Sequence, residues 1–185
     1  MSDRHGNWMR TFTGKRYYPI DPRAEDVELE DIAHSLSMQC RYCGHSSRFY
    51  SVAEHSVHVS YMVPQEHALA GLFHDATEAY LHDISRPLKG HLVGYHALEA
   101  KNWGVIAEKF SLPTELHESI HQADIDVCQT EMAVLMQGHE NDYCIPGAVH
   151  RDGIVLNLYG PLAAKWLFIE RFNALWSGRN GKKHG

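Results

Sequence analysis

The sequence predicts an all-α fold, a single-domain helical bundle, and three observations carry that expectation. Apolar residues recur at helical spacing over most of the chain. Helix-starting and helix-stopping residues cut that pattern into segments of ordinary helix length. Alternating β patterns are scarce, with residues 153–159 the one weak candidate.

Residues 1–26 read as an irregular arm. Gly6, Gly14, Pro19 and Pro22 punctuate a stretch carrying Trp8, Phe12, Tyr17 and Tyr18, and so many aromatics imply an arm packed back on the domain. Packing is the favoured reading for Trp8 over stacking on a base. The domain proper spans 27–176. Val27, Leu29, Ile32, Ala33 and Leu36 trace a first helix whose end is left open by Ser35 and Ser37. Ser51 and Glu54 form a capping-box pattern that starts a helix running to about Met62. Pro64 stops it and opens the next, over 65–80. A further helix spans 94–110, Pro113 opens one reaching about Met136, and Pro161 starts the last, through Trp176. Residues 138–160 read as loop, and the Gly- and Lys-rich 177–185 as a flexible tail.

Composition narrows the function classes. Lys and Arg total 17 against 23 Asp and Glu among 185 residues, a net charge of -6, so a footprint for duplex nucleic acid is absent. No apolar run spans a bilayer and nothing resembles a secretory signal, so a cytoplasmic setting is expected. The 4 cysteines form no disulfide framework; Cys40 and Cys43, near His45, lack a second Cys/His pair and read as reduced thiols rather than a zinc site. Histidine is unusually frequent, at 15 residues, which favours metal chemistry without locating it.

The dipeptide His74-Asp75 is a candidate location, although taken alone the two residues read better as a satisfied structural pair. It falls inside the expected 65–80 helix, next to Leu69, Leu72 and Phe73, which would anchor it in the core. Buried there, an imidazole and a carboxylate need a partner or a metal. His55, on the preceding helix, and Asp124, in the apolar-flanked run Ile120–Ile125, supply two further ligands, giving a metal site between helices. Two imidazoles and two carboxylates suit one divalent transition ion, Mn, Co, Fe, Zn or Ni. Glu78 stands one helical turn after His74 and can face the same cleft. His58, one turn after His55, is expected beside the site or at the surface, and His82 and His91 in solvent.

The order His, His-Asp, Asp on successive helices resembles the HD-domain phosphohydrolases. Within them the sequence is most similar to the 5'-deoxynucleotidase group and to phage relatives that degrade deoxynucleotides. The matching segments are LEDIAHSLSMQCRYCGH (29–45), SVAEHS (51–56), HDATEAYLHDISRPLK (74–89) and QAD (122–124). The resemblance implies an HD-type bundle with metal ligation by His55, His74, Asp75 and Asp124. It assigns Glu78 as the acid/base carboxylate that orients or deprotonates the attacking water, and Asp83 as a second carboxylate near the leaving group. It matches Arg41 to a phosphate-contacting arginine, and Lys89 is a candidate second cation. The implied activity is release of phosphate from deoxyribonucleoside 5'-monophosphates. The long arm and the loop before the last helix depart from the compact enzymes of the group and leave a triphosphohydrolase of deoxynucleoside triphosphates, such as dATP, as the alternative. The related enzymes are commonly homo-oligomers, which is the expectation here. A zinc-stabilised, non-catalytic binding module is the competing class; Glu78 and Asp83 argue against it, since a structural site needs neither.

Overall fold

The computed structural model describes residues 4–138 and 144–181. An antiparallel hairpin of two-residue strands, β1 (Met9–Arg10) and β2 (Arg16–Tyr17), precedes the helices. These are α1 (Leu29–Met38), α2 (Val52–Met62), α3 (Ala68–Leu72), α4 (Glu78–Leu81), α5 (Arg86–Lys89), α6 (Tyr95–Phe110), α7 (Glu118–Leu135) and α8 (Pro161–Gly181). The fold is mostly helical, as expected. The hairpin is an addition: its strands are too short for a periodic signal, and it turns on Gly14, whose φ of 87° suits glycine. Residues 153–159 form no strand. No helix among the described residues is long and apolar enough to cross a membrane.

Helix α2 is the centre of the bundle. It is buried on nearly every side and packs against α1, α3, α7 and α8. Ser51 caps it, its side chain accepting from the Glu54 N–H at 3.1 Å. The reciprocal half of the capping box does not form. The buried Glu54 carboxylate instead accepts from the backbone N–H groups of Asn157, Leu158 and Tyr159 at 2.8, 3.0 and 2.9 Å. Three donors satisfy a buried carboxylate better than one, and the contact pins the loop before α8 onto α2.

The helix expected over 65–80 is broken. After α3 the chain tightens into successive i→i+3 turns, with Ala76 N–H bonded to the Phe73 carbonyl at 2.8 Å and Glu78 N–H to the Asp75 carbonyl at 3.0 Å. His74 supplies the reason. Its Nδ1 donates to the Gly71 carbonyl at 2.8 Å, the acceptor that a continuing α-helix would give to the Asp75 N–H. Gly71 also lets α3 approach α2 closely, since a Cβ there would lie 3.2 Å from Val63 and 3.5 Å from the Ser60 backbone. Leu69, Leu72 and Phe73 are buried as expected. Phe73 anchors the turn among Phe110, Phe168 and Phe172, with ring centroids at 4.5, 5.7 and 5.8 Å.

Two boundaries shift. α7 begins at Glu118 rather than near Pro113, because His117 serves as its N-cap and accepts from the Ser119 N–H. α8 continues through Gly181; of the expected flexible tail, residues 182–185 lie outside the described residues. The arm packs through Tyr17, which is fully buried, stacks on Tyr80 at 3.7 Å and donates to Asn102 at 2.6 Å. Trp8 is 41% exposed, and its ring contacts are the hairpin's own Arg10 and Arg16.

Candidate metal centre

Three segments converge on one point: α2 brings His55, the turns between α3 and α4 bring His74 and Asp75, and α7 brings Asp124. The two imidazoles are oriented from behind. His55 Nδ1 lies 2.7 Å from Glu131 Oε1, and His74 Nδ1 lies 2.8 Å from the Gly71 carbonyl. Both partners are acceptors, so each Nδ1 carries the proton and each Nε2 is left with its lone pair. Those Nε2 atoms face one another at 3.3 Å. Asp124 Oδ1 stands 3.2 Å from His55 Nε2 and 3.9 Å from His74 Nε2; Asp75 Oδ2 stands 3.2 Å from His74 Nε2 and 3.7 Å from His55 Nε2.

Three electron-pair donors, on His55, His74 and Asp124, thus crowd one point, with Asp75 beside the two imidazoles, an arrangement that is repulsive unless a cation or a proton sits among them. The electrostatics report that demand. Burial and the Arg41 charge lower the His55 pKa, but the Glu131 and Asp124 carboxylates outweigh them and raise it to about 9. Burial raises Asp75, yet His74 and His55 overcome it and hold the carboxyl at about 2; Asp124 is likewise pulled down by His55 and His74 against its burial. The set fits a divalent transition ion in donor type, tautomer and convergence.

Glu131 was not among the expected site residues, and it organises the rest. It is fully buried; besides His55, it accepts from Arg41 Nε at 3.1 Å and from the Tyr42 hydroxyl at 2.6 Å. Burial works to raise its pKa, while Arg41 and His55 hold it at about 2. Cys128 lies between them: its thiol donates to Asp124 Oδ1 at 3.4 Å and accepts from Arg41 at 3.0 Å. His55, Cys128 and Glu131 could by themselves be read as a second metal cluster. The Arg41 guanidinium is already the cation bonded to both Cys128 and Glu131. The sequence signal was available, because Asp124, Cys128 and Glu131 are spaced i, i+4, i+7 along one helix face.

A cavity of about 520 Å³ opens over the site, lined by Arg41, Asp75, Glu78, Asp83, Lys89 and Asp124 among others. The histidines do not line it; they contact the carboxylates that do. Glu78 is buried, its Oε2 has no hydrogen-bond partner among the described residues, and its pKa is pushed well up by burial and by Asp75 and Asp83, against Arg41 and Lys89. Gln39, also unanticipated, joins the two carboxylate-bearing segments: it accepts from the Asp83 N–H and donates to the Glu78 carbonyl, both at 3.0 Å. Lys89 Nζ pairs with Glu99 at 2.6 Å. Arg41 is buried, not a surface ion pair.

The remaining histidines among the described residues stay out of the cluster. His58 faces Glu54 at 3.7 Å, His34 stacks on Phe12 at 3.8 Å, and His45, His82 and His91 are exposed. Cys40 and Cys43 are free thiols, Cys43 exposed.

No family model matches the chain. It is 39% identical over 170 residues to YfdR of Escherichia coli, an uncharacterized protein, over 91% of this chain and 96% of YfdR. It is 35% identical over 126 residues to an uncharacterized protein of Rhodobacter capsulatus, over 63% of this chain and 64% of that protein. With that extent of shared sequence, the chain belongs to the family of YfdR.

Proposed function

We propose that the chain is an HD-type, metal-dependent phosphohydrolase that releases phosphate from deoxyribonucleoside 5'-monophosphates. One observation carries the reading: the carboxylates of an imidazole–carboxylate cluster line the same cavity as buried Glu78, whose Oε2 has no hydrogen-bond partner among the described residues. A structural metal site would have no use for the second feature.

His55, His74, Asp75 and Asp124 hold the ion. When bound, a divalent ion polarises a phosphoryl oxygen and acidifies water near neutral pH. The chain's own residues do the remainder. Glu78 moves the proton: burial first, then the Asp75 and Asp83 charges, push its carboxyl pKa up and make it the more basic carboxylate facing the cavity, and a cation held by Asp75 would offset part of that push. Glu78 takes a proton from the attacking water as the new P–O bond forms. Asp83, on the same cavity, assists departure of the 5'-oxygen, which leaves with the electron pair of the broken P–O bond and receives the proton that Glu78 took from the water. Arg41 and Lys89 supply positive potential against the phosphate, and Glu131 keeps the His55 ring in its ligating tautomer.

Deoxynucleoside mono- and triphosphates, offered to the protein loaded in turn with Mn, Co, Zn, Fe or Ni, test this directly. The expected result is inorganic phosphate from monophosphates, abolished by a chelator and restored by metal. Tripolyphosphate from dATP would identify the triphosphohydrolase instead. A fully metal-loaded protein that hydrolyses no nucleotide would leave the binding module.

A further inference from the structure

Arg86 opens α5 and lines the same cavity, yet none of the roles above uses it. The other two cations there are committed. Arg41 is buried and gives its Nε to Glu131 and one terminal nitrogen to Cys128. Lys89 is held by Glu99. Arg86 differs on both counts. Its side chain is 61% exposed, and its one ion pair among the described residues is a 3.6 Å approach of Nη2 to Asp124 Oδ2. That is longer than a charge-assisted hydrogen bond, which runs at about 2.7–2.9 Å.

Asp124 therefore faces two ways. Oδ1 is turned to His55 Nε2 at 3.2 Å and Oδ2 to Arg86. We propose that Arg86 is the phosphate clamp of this cavity: its guanidinium turns from Asp124 Oδ2 onto the non-bridging oxygens of a phosphomonoester dianion. The proposal rests on the phosphohydrolase reading of the site and names the group that recognises the substrate's charge.

Three physical arguments support it. A carboxylate engaged through Oδ1 has less charge to offer on Oδ2, so the pair that holds Arg86 weakens as the site fills. An exposed, long ion pair contributes little, so breaking it costs little. A phosphomonoester dianion offers two charges and three acceptor oxygens, which match the planar fork of arginine better than one carboxylate oxygen does. The need is also evident in the cavity wall. Asp75, Glu78, Asp83 and Asp124 all face the space an anionic substrate must enter, and Arg86 is the cation there not already bound to a closer partner among the described residues.

Arg86→Gln and Arg86→Lys test the clamp. Inorganic phosphate is titrated calorimetrically into metal-loaded wild type and variants, with KM and kcat for a deoxynucleoside monophosphate, metal content and Tm measured alongside. Arg86→Gln is expected to weaken phosphate binding and raise KM by about 10- to 100-fold, with a smaller change in kcat and unchanged metal content and Tm. Arg86→Lys recovers part of the loss, because it keeps the charge without the fork. Unchanged phosphate affinity and KM in Arg86→Gln overturn the proposal while leaving the phosphohydrolase reading intact. So does a wild type that binds no phosphate yet turns over nucleotide. Loss of metal from Arg86→Gln also overturns it, assigning Arg86 to holding Asp124. Arg86-dependent phosphate binding by a wild type that hydrolyses no nucleotide upholds the clamp and overturns the phosphohydrolase reading.

Discussion

Replacing Glu78 by glutamine lowers hydrolysis by about 100- to 10,000-fold while fold and metal content stay at wild-type levels. The substitution keeps the volume of the buried side chain and removes only its ability to take and release a proton. No hydrogen bond is broken at Oε2, which has no partner among the described residues. The backbone of residue 78 keeps its place, because Gln39 binds the carbonyl rather than the side chain. Steady-state rates read alongside metal analysis and thermal melting check the prediction. A Glu78→Gln variant as active as wild type removes the proposed role, and one that loses its metal reassigns Glu78 to building the site.

Glu131→Gln is expected to act through stability and metal affinity together. The carboxylate receives His55, Arg41 and Tyr42, and all three are left facing a neutral amide. Breaking a buried ion pair from one side costs about 3–5 kcal/mol, and losing the partner that orients a ligating histidine costs about 10- to 100-fold in metal affinity. Urea unfolding and a metal-competition titration measure the two effects. Acid should reproduce the first. Because the folded Glu131 pKa is depressed from 4.5 to about 2, its contribution is present above pH 4.5 and is lost as pH falls from there toward 2. Unchanged stability and metal affinity in Glu131→Gln would remove it from the centre of the site.

The sequence made the candidate ligands readable and hid what orients them. Ser51, Pro64 and Pro161 mark helix ends that local chemistry enforces, so α2 and α8 start where expected. His55, His74, Asp75 and Asp124 stand out because buried imidazoles and carboxylates are costly in apolar segments. The break at Phe73–Thr77 was hidden, since a run of i→i+3 turns carries nearly the same apolar spacing as an α-helix; the deciding contact is His74 to the Gly71 carbonyl, which periodicity does not register. The i, i+4, i+7 spacing of Glu131 with Cys128 and Asp124 marks a shared helix face but names no partner for the carboxylate. Only the packing of α7 on α2 turns its carboxylate to the far side of His55. Lys89 is the cation the sequence singled out in this segment, and Arg86, three residues before it, carries no local signal that sets it apart. The structure separates them, one tied to Glu99 and the other reaching Asp124 from solvent.

The central claim is that His55, His74, Asp75 and Asp124 hold one divalent ion. Elemental analysis of the purified protein, beside His74→Ala and Asp124→Asn variants, tests it most directly. The account predicts about one transition-metal ion per wild-type chain and little in either variant, with helical circular dichroism retained. Wild-type metal content in both variants, or a correctly folded wild type that takes up no divalent metal when supplied in excess, would contradict it.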